Sequence, residues 1–176
     1  MTGSVRRPLL FLDVDGPLIP FGSQRPYPTY ETDRPETRET AAHPLLSRLD
    51  LAHGPRLAAL PCEVVWATTW TSDANECIAP RLGLPELAVV DWPDPSEADE
   101  LDERAGLHWK TRTLVGWAAG RAFAWVDDEI SDADRAWVAV HHPGRALLHR
   151  VDARAGLGDG DYRLLEEWLR ALQGPT

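Results

Sequence analysis

Two carboxylates separated by one residue follow a short apolar run near the N-terminus. Asp13 and Asp15 come after 9–12, and Gly16 stands directly behind them. Four apolar residues in a row predict a strand buried on both faces of a parallel sheet. Ligands bind at the carboxyl ends of such strands, and side chains two residues apart lie on one side of the chain. Because neighbouring like charges need a cation or a shared proton, the motif indicates a site for a hard metal such as Mg²⁺, with a plain Asp-rich turn as the alternative.

A second chemical position is a pair of hydroxyl residues after another apolar segment. Residues 62–67 predict a strand, and Thr68 and Thr69 follow it before a predicted helix over 71–79. A hydroxyl there can bond a phosphate oxygen beside the backbone N–H groups of a helix start. Since Ser or Thr in this place is most often an N-cap, the alternative is a purely structural role.

The third and fourth positions lie in the second half of the chain. Lys110 falls in the first turn of a helix predicted over 107–119, where a cation is unfavourable for the helix dipole, so a role other than that of a surface lysine is indicated. Residues 121–126 predict a further buried strand that ends in Asp127 and Asp128. Carboxylates therefore follow a buried strand at two places in the sequence.

The remaining pattern alternates strand and helix, which predicts the sheet that would position these residues. Further strands are expected at 88–90 and 146–149, and further helices at 45–60, broken at Gly54-Pro55, at 132–140 with Ser131 as N-cap, and at 162–172. Alternation of this kind predicts right-handed crossovers and an α/β fold: a three-layer, Rossmann-like parallel sheet of about five strands. We expect a single domain over 1–176.

Two segments lack a clear period. The proline-rich segment 17–44 is predicted to be a long flap over the carboxyl edge of the sheet, because its prolines exclude a continuous helix or an interior strand. The segment 91–106 is dense in acidic residues and is predicted to be a solvated acidic loop.

Composition limits the classes of function. The formal net charge of -10 disfavours a tight grip on a nucleic-acid backbone, although a bound divalent ion still permits a phosphorylated substrate. Cys62 and Cys77 have no metal-ligand spacing, which favours a reducing, cytoplasmic setting. The apolar run 9–12 is too short for a secretory segment or a membrane span, so we expect no membrane association.

The order of these motifs resembles the haloacid dehalogenase (HAD) superfamily over essentially the whole chain. The four segments that carry the resemblance are Leu12-Asp13-Val14-Asp15-Gly16, Val64-Val65-Trp66-Ala67-Thr68, Lys110 and Trp125-Val126-Asp127-Asp128. The Trp66-Ala67-Thr68-Thr69-Trp70 segment further resembles a group of small HAD proteins common in actinobacteria, which is related to HAD domains of RNA-repair proteins.

The resemblance implies a Mg²⁺-dependent phosphatase. Asp13 would be the nucleophile that forms an aspartyl-phosphate, and Asp15 the general acid and base. Thr68 and Lys110 would complete the catalytic set and, with Thr69 and Gly16, would bind the phosphoryl group of the substrate.

The resemblance also implies a metal site. Asp13, the backbone carbonyl of Asp15 and Asp128 would hold Mg²⁺, with Asp127 as a supporting acid beside them. One departure is Pro17, which stands where the superfamily usually has Thr or Val and could loosen the support of Asp13.

The short segments between the motifs imply a capless or minimally capped member. Such members act on exposed phosphates of large substrates or take a lid from a second copy, so a homodimer stays open. The substrate class is unknown; nucleic-acid ends stay open but are disfavoured by the net charge. The alternatives to hydrolysis are a catalytically weak domain that serves as a binding module, and a phosphotransferase.

Overall fold

The part of the chain that the structure describes forms one parallel five-stranded sheet. The structure is a computed structural model and describes residues 6–35 and 37–174. Neighbouring strands pair in parallel throughout, in the order β3-β2-β1-β4-β5. The strands are β1 (Leu9–Leu12), β2 (Glu63–Trp66), β3 (Ala88–Val89), β4 (Phe123–Asp127) and β5 (Ala146–Arg150). The predicted parallel α/β sheet is therefore confirmed.

The central strand is β1, and its apolar sequence explains its place. All four of its residues are fully buried, as expected for a strand covered on both faces. Leu12 pairs with Trp66 of β2 on one side and with Val126 of β4 on the other. The chain builds outward from β1 in one direction and then returns to its other side at β4. Because ligand sites form where the strand order reverses in this way, the carboxyl ends of β1 and β4 are where a site is expected.

Helices cover both faces of the sheet and enclose two hydrophobic clusters. One cluster contains Leu10, Leu12 and residues of α2, α3 and α7; the other contains Leu9, Phe11 and residues of α5 and α6. The helices are α1 (Arg38–Ala41), α2 (His53–Ala59), α3 (Ala79–Leu82), α4 (Glu97–Arg104), α5 (Thr111–Ala118), α6 (Asp132–His141) and α7 (Asp159–Leu172), with a 3₁₀ turn at Pro44–Arg48 and a π turn at Ala74–Ile78. Among the described residues, no helix has the length and apolar character that a membrane span requires.

The prediction of a loop over 91–106 is wrong for its second half. Residues Glu97–Arg104 form α4. The Asp99 carboxylate accepts hydrogen bonds from the backbone N–H and the hydroxyl of Ser96, at 2.6 and 3.0 Å. This contact at the helix start, with acidic residues in the first turn, favours the helix through its dipole. The high density of acidic residues in Glu97–Arg104 is therefore compatible with a helix.

The element boundaries within 45–60 and 17–44 also differ from those predicted. The break within 45–60 lies between the 3₁₀ turn and α2, while Gly54-Pro55 lies inside the first turn of α2. Proline is tolerated there because the first N–H groups of a helix have no intrahelical acceptor. The described residues of the flap 17–44 are irregular except at its end, where α1 and the start of the 3₁₀ turn lie.

Candidate active site

A buried lysine lies between two of the predicted carboxylates. The Lys110 Nζ atom donates to Asp13 Oδ2 and to Asp127 Oδ2, each at 2.8 Å. The side chain of Lys110 is 3% exposed and that of Asp127 is fully buried. Adjacent strands β1 and β4 bring the two acids together. The sequence predicted Lys110 in the first turn of a helix. In the structure Lys110 lies directly before the first residue of α5.

The Asp13 carboxylate is held at both oxygens. Its Oδ1 atom accepts the backbone N–H of Val14 at 2.8 Å, while Oδ2 takes the bond from Lys110. The side chain is only 11% exposed. A carboxylate fixed in this way has one defined orientation towards the space beyond the strand end, which is what an attacking group requires.

Burial and charge shift the protonation of this cluster. Burial, with a further contribution from Asp127, raises the pKa of Asp13 to about 7, although Lys110 opposes the rise. Burial tends to lower the pKa of Lys110, but the carboxylates of Asp13 and Asp127 outweigh it and raise that pKa above its ordinary value. Burial also raises the pKa of Asp128, and Asp127 adds to the effect. The site therefore carries more carboxylate than its single ammonium balances.

The donor set fits a hard divalent cation. One carboxylate oxygen from each of Asp13, Asp127 and Asp128 lies within 4.8 Å of the others. When ionised, the three carboxylates exceed the one ammonium by two negative charges, and oxygen ligands are those that Mg²⁺ prefers. Of the four predicted metal residues, three thus meet through their side chains.

The fourth predicted metal residue, Asp15, directs its carboxylate to a different partner. Its Oδ2 atom accepts the indole N–H of Trp70 at 3.0 Å. This leaves the Asp15 side chain outside the carboxylate cluster, as a separate acid beside it. Coordination by its backbone carbonyl stays a prediction.

Gly16 lets the chain leave β1 in close contact with Asp128. Its φ of +93° is a backbone conformation that favours glycine. A Cβ added at Gly16 would lie 2.8 Å from both Cγ and Oδ1 of Asp128. The structure therefore assigns Gly16 a packing role against Asp128; its predicted contact with substrate stays a prediction.

The two threonines after β2 differ in their surroundings. Thr68 is fully buried, and its Oγ1 atom accepts the backbone N–H of Trp70 at 3.2 Å. Thr69 is exposed. The helix predicted over 71–79 begins only at the π turn Ala74–Ile78, so Thr68 is not next to a helix start. Thr68 and Asp13 nevertheless leave neighbouring strands at the same edge of the sheet.

Two tryptophans flank the ammonium group. The Lys110 Nζ atom lies 6.0 Å from the ring centroid of Trp92 and 5.6 Å from that of Trp109. The two indole rings pack edge to face, with their ring centroids 4.8 Å apart. Trp92 also donates its indole N–H to the backbone carbonyl of Thr68 at 3.0 Å. Aromatic faces stabilise a cation and exclude water, so these rings line one side of the site.

The loop that carries Lys110 is held by a buried aspartate. Asp134 Oδ1 accepts the Thr111 hydroxyl at 2.6 Å and the backbone N–H of His108 at 2.7 Å, and Oδ2 accepts from Ser131. Burial opposes ionisation of Asp134, but the hydrogen bonds from Thr111, Ser131 and His108 outweigh it and lower its pKa. The acid therefore fastens the residues on both sides of Lys110.

A second group of possible ligands, His108 with Asp127 and Glu129, does not fit a metal in this geometry. His108 Nδ1 accepts the backbone N–H of Lys110 at 3.2 Å, so the ring proton of the neutral imidazole lies on Nε2. Nε2 is 3.2 Å from Glu129 Oε2 and donates to it. A cation at Nε2 would have to displace this proton while the lone pair of Nδ1 already accepts a backbone N–H.

A comparison of the sequence with protein families decides the relationship. A family model described as the HAD domain in Swiss Army Knife RNA repair proteins matches residues 9–161, from the start of β1 into α7. The chain belongs to this HAD family. The match confirms the resemblance that the four motifs indicated, and HAD domains are hydrolases in general and commonly use Mg²⁺. Neither the curated proteins nor the solved structures give a match to the chain.

Sequence reasoning on this HAD domain missed several residues of the site. No role in the site was predicted for Trp70, Trp92 or Asp134. Buried indole N–H groups need acceptors, which was the signal available for the two tryptophans. A further signal concerned Lys110 itself: it is the single lysine of a sequence that otherwise uses arginine for its basic side chains.

Proposed function

We propose that the protein is a Mg²⁺-dependent phosphomonoester hydrolase that works through an aspartyl-phosphate at Asp13. The observation that carries the proposal is the Lys110 ammonium 2.8 Å from both Asp13 and Asp127, at a cluster that Asp128 completes. A fixed carboxylate, a buried cation and a site for a divalent ion are the parts that phosphoryl transfer needs. Membership of the HAD family supports the same chemistry.

The first step transfers the phosphoryl group to the enzyme. A carboxylate oxygen of Asp13 forms a bond to phosphorus while the bond from phosphorus to the leaving oxygen breaks. The leaving oxygen keeps the electron pair and takes a proton from Asp15. Lys110 and the Thr68 hydroxyl stabilise the charge on the non-bridging oxygens, and Thr69 and Gly16 contribute to binding of the phosphoryl group.

The second step releases phosphate. Asp15, now ionised, accepts a proton from water as the water oxygen bonds to phosphorus and the bond to Asp13 breaks. The Asp13 carboxylate and the protonated Asp15 are thereby regenerated. Splitting the hydrolysis into two steps replaces one high barrier with two lower ones.

The metal would be held by the carboxylates of Asp13 and Asp128 and by the backbone carbonyl of Asp15, with Asp127 supporting Lys110. A bound Mg²⁺ supplies positive charge that offsets the negative charge of the carboxylates and of the phosphate.

The residue after Gly16, Pro17, is buried and its carbonyl accepts the N–H of Leu157 at 2.8 Å. This contact anchors the strand exit at the position where the chain departs from the usual pattern.

Phosphate release from a panel of phosphomonoesters, with Mg²⁺ and with EDTA, tests the proposal. We expect release that requires Mg²⁺ and that Asp13→Asn abolishes. Asp132→Asn is the matched control, because Asp132 is a fully exposed acid near the site whose side chain pairs only with Arg135 among the described residues. Turnover that survives Asp13→Asn would overturn the assignment.

The same panel separates the two alternatives. A folded protein that binds Mg²⁺ but releases no phosphate from any compound would favour a binding module. Transfer of the phosphoryl group to added alcohols in preference to water would favour a phosphotransferase.

A further inference from the structure

A groove beside Asp128 carries several positive charges. A cavity of about 680 Å³ is lined by Asp128, Phe21, Arg150 and Arg154, among others. A second cavity of about 340 Å³ adjoins it, is lined by Arg25, and shares Arg154 and Gly22 with the first. We call the surface formed by Phe21, Arg25, Arg150 and Arg154 the arginine groove. It begins at a predicted metal ligand and runs under the start of the flap.

The guanidinium groups of the groove are available to an anion. Within residues 6–35 and 37–174, those of Arg25, Arg150 and Arg154 form no ion pair with a carboxylate. The Arg150 Nε atom donates to the carbonyl of Asp128 at 2.8 Å, which fixes this side chain beside the site. Asp128 and Asp152 also line the groove, so its three guanidinium groups outnumber its carboxylates by one, and Asp152 Oδ1 accepts the backbone N–H of Arg154.

Another cavity beside the site has the opposite charge. A cavity of about 780 Å³ next to Trp109 is lined by acidic residues that include Glu97, Glu100, Glu103 and Glu129. Asp128 and Glu129 are consecutive, so the acidic cavity and the arginine groove border one reaction centre from two directions. A polyanion is repelled by the first and attracted by the second. The negative net charge of the whole chain does not reveal that the two cavities differ in charge.

We infer that the arginine groove binds the sugar-phosphate backbone of a single nucleic-acid strand whose terminal phosphate enters the site at Asp13. The inference rests on the proposed function, because that function places the terminal phosphate. Guanidinium groups pair with phosphodiester oxygens, often through two parallel hydrogen bonds. Phe21 is 43% exposed at the groove and offers a ring on which an unpaired base can stack.

Binding is measured first, with a fluorescein-labelled single-stranded RNA hexamer that carries a terminal phosphate at the unlabelled end. The protein is the full chain with Asp13→Asn, in Mg²⁺, so that the probe is not consumed. Fluorescence anisotropy against salt gives both the Kd and its salt dependence. We expect Arg25→Gln with Arg154→Gln to raise the Kd at least about tenfold and to reduce the slope of log K against log salt by about 1.4, at about 0.7 for each lost phosphate contact.

The matched control is Arg145→Gln with Arg163→Gln. Both residues are exposed and neither forms an ion pair among the described residues, so the control removes the same charge elsewhere. We expect its Kd to stay within about twofold of the parent. Equal weakening by the two double variants would show a general charge effect and would overturn the inference, as would an unchanged Kd in the groove variant.

Kinetics then separate failure of the groove from failure of the chemistry. With active protein, the groove variant should raise KM for the hexamer at least about tenfold with kcat unchanged, and leave kcat/KM for p-nitrophenyl phosphate unchanged. If no substrate releases phosphate, the proposed hydrolysis fails while the anisotropy result still decides the groove. If both substrates lose activity equally in the groove variant, the groove does not bind the strand.

Discussion

Trp70 donates its indole N–H to the Asp15 carboxylate at 3.0 Å. The indole is itself held from two directions. The His43 ring, at the end of the flap, lies 4.4 Å from the Trp70 ring, and the backbone N–H of Trp70 bonds to the Thr68 hydroxyl. The proposed general acid is therefore oriented by a side chain that also contacts the flap.

Trp70→Phe should impair protonation of the leaving group selectively. Loss of the indole donor frees Asp15 to rotate, so we expect kcat/KM for an alkyl phosphate to fall about tenfold, below the 10²–10⁴-fold that general acid catalysis contributes. The value for p-nitrophenyl phosphate should stay within about twofold, because its leaving group needs no proton. Steady-state kinetics with both substrates check this prediction.

Trp168→Phe is the control for Trp70→Phe. Trp168 is a partly buried tryptophan of α7 that packs against the core away from the site. It should leave both substrates unaffected. An equal loss for alkyl and aryl phosphates in Trp70→Phe would show that Trp70 acts only in packing.

Gly16→Ala should weaken the metal site while the fold persists. The added Cβ would lie 2.8 Å from Asp128 Cγ, so the Asp128 side chain must move away from its position in the carboxylate cluster. We expect the Kd for Mg²⁺, measured by calorimetry, to rise at least about tenfold, as for changes that displace a ligand. Gly120→Ala introduces a similar backbone strain, with φ of +82° and its nearest neighbour at 3.6 Å, and should not change Mg²⁺ binding.

Lys110→Met should reduce kcat/KM about 10²–10³-fold, the usual cost of removing a group that stabilises the transition state. It also leaves the buried carboxylates of Asp13 and Asp127 without a cation. The melting temperature of the variant in EDTA should therefore be lower than that of the natural protein, and Mg²⁺ should restore part of the difference. Lys110→Arg should not recover activity, because a planar guanidinium does not replace an ammonium fixed between two carboxylates. Full activity of either variant would contradict the role of Lys110.

Asp134→Asn should destabilise the protein in a pH-dependent way. The pKa of Asp134 is lower in the folded protein than in the unfolded chain, where it is about 3.9. The ionised carboxylate therefore contributes fully to the free energy of unfolding above this unfolded-state pKa. That contribution is lost as the pH falls through the pKa of the folded protein. We expect a loss of about 2 kcal/mol at pH 7 that shrinks below about pH 4. Urea unfolding measures it, with Asp132→Asn as the neutral control. A loss that is independent of pH would contradict the assignment.

The sheet and the carboxylates were predictable because their signals are local. A run such as Leu9–Leu12 can be little else than a buried strand, and the acids that follow must meet where parallel strands end. The contacts of Trp70 and Asp134 were not predictable in the same way, since their partners lie 55 and 26 residues away in the sequence. Helix α4 was missed because its charge density concealed a sound helix start at Ser96.

The lone lysine shows what composition could have contributed. Arginine serves at every other strongly basic position, and the exception lies at 2% exposure between two carboxylates. A compact ammonium fits that position and a guanidinium fork does not. The charge division between the arginine groove and the acidic cavity needed coordinates, because Arg25 and Arg150 are far apart in the sequence.

Detection of phosphate bound covalently to Asp13 tests the central claim most directly. The protein is mixed with a substrate that it turns over, quenched in acid within the first turnovers, reduced with borohydride and digested for mass spectrometry. We predict homoserine at position 13, formed by reduction of the aspartyl-phosphate, in the natural protein and in Asp132→Asn. Steady phosphate release with no modification at Asp13, or release that continues in Asp13→Asn, would contradict the account.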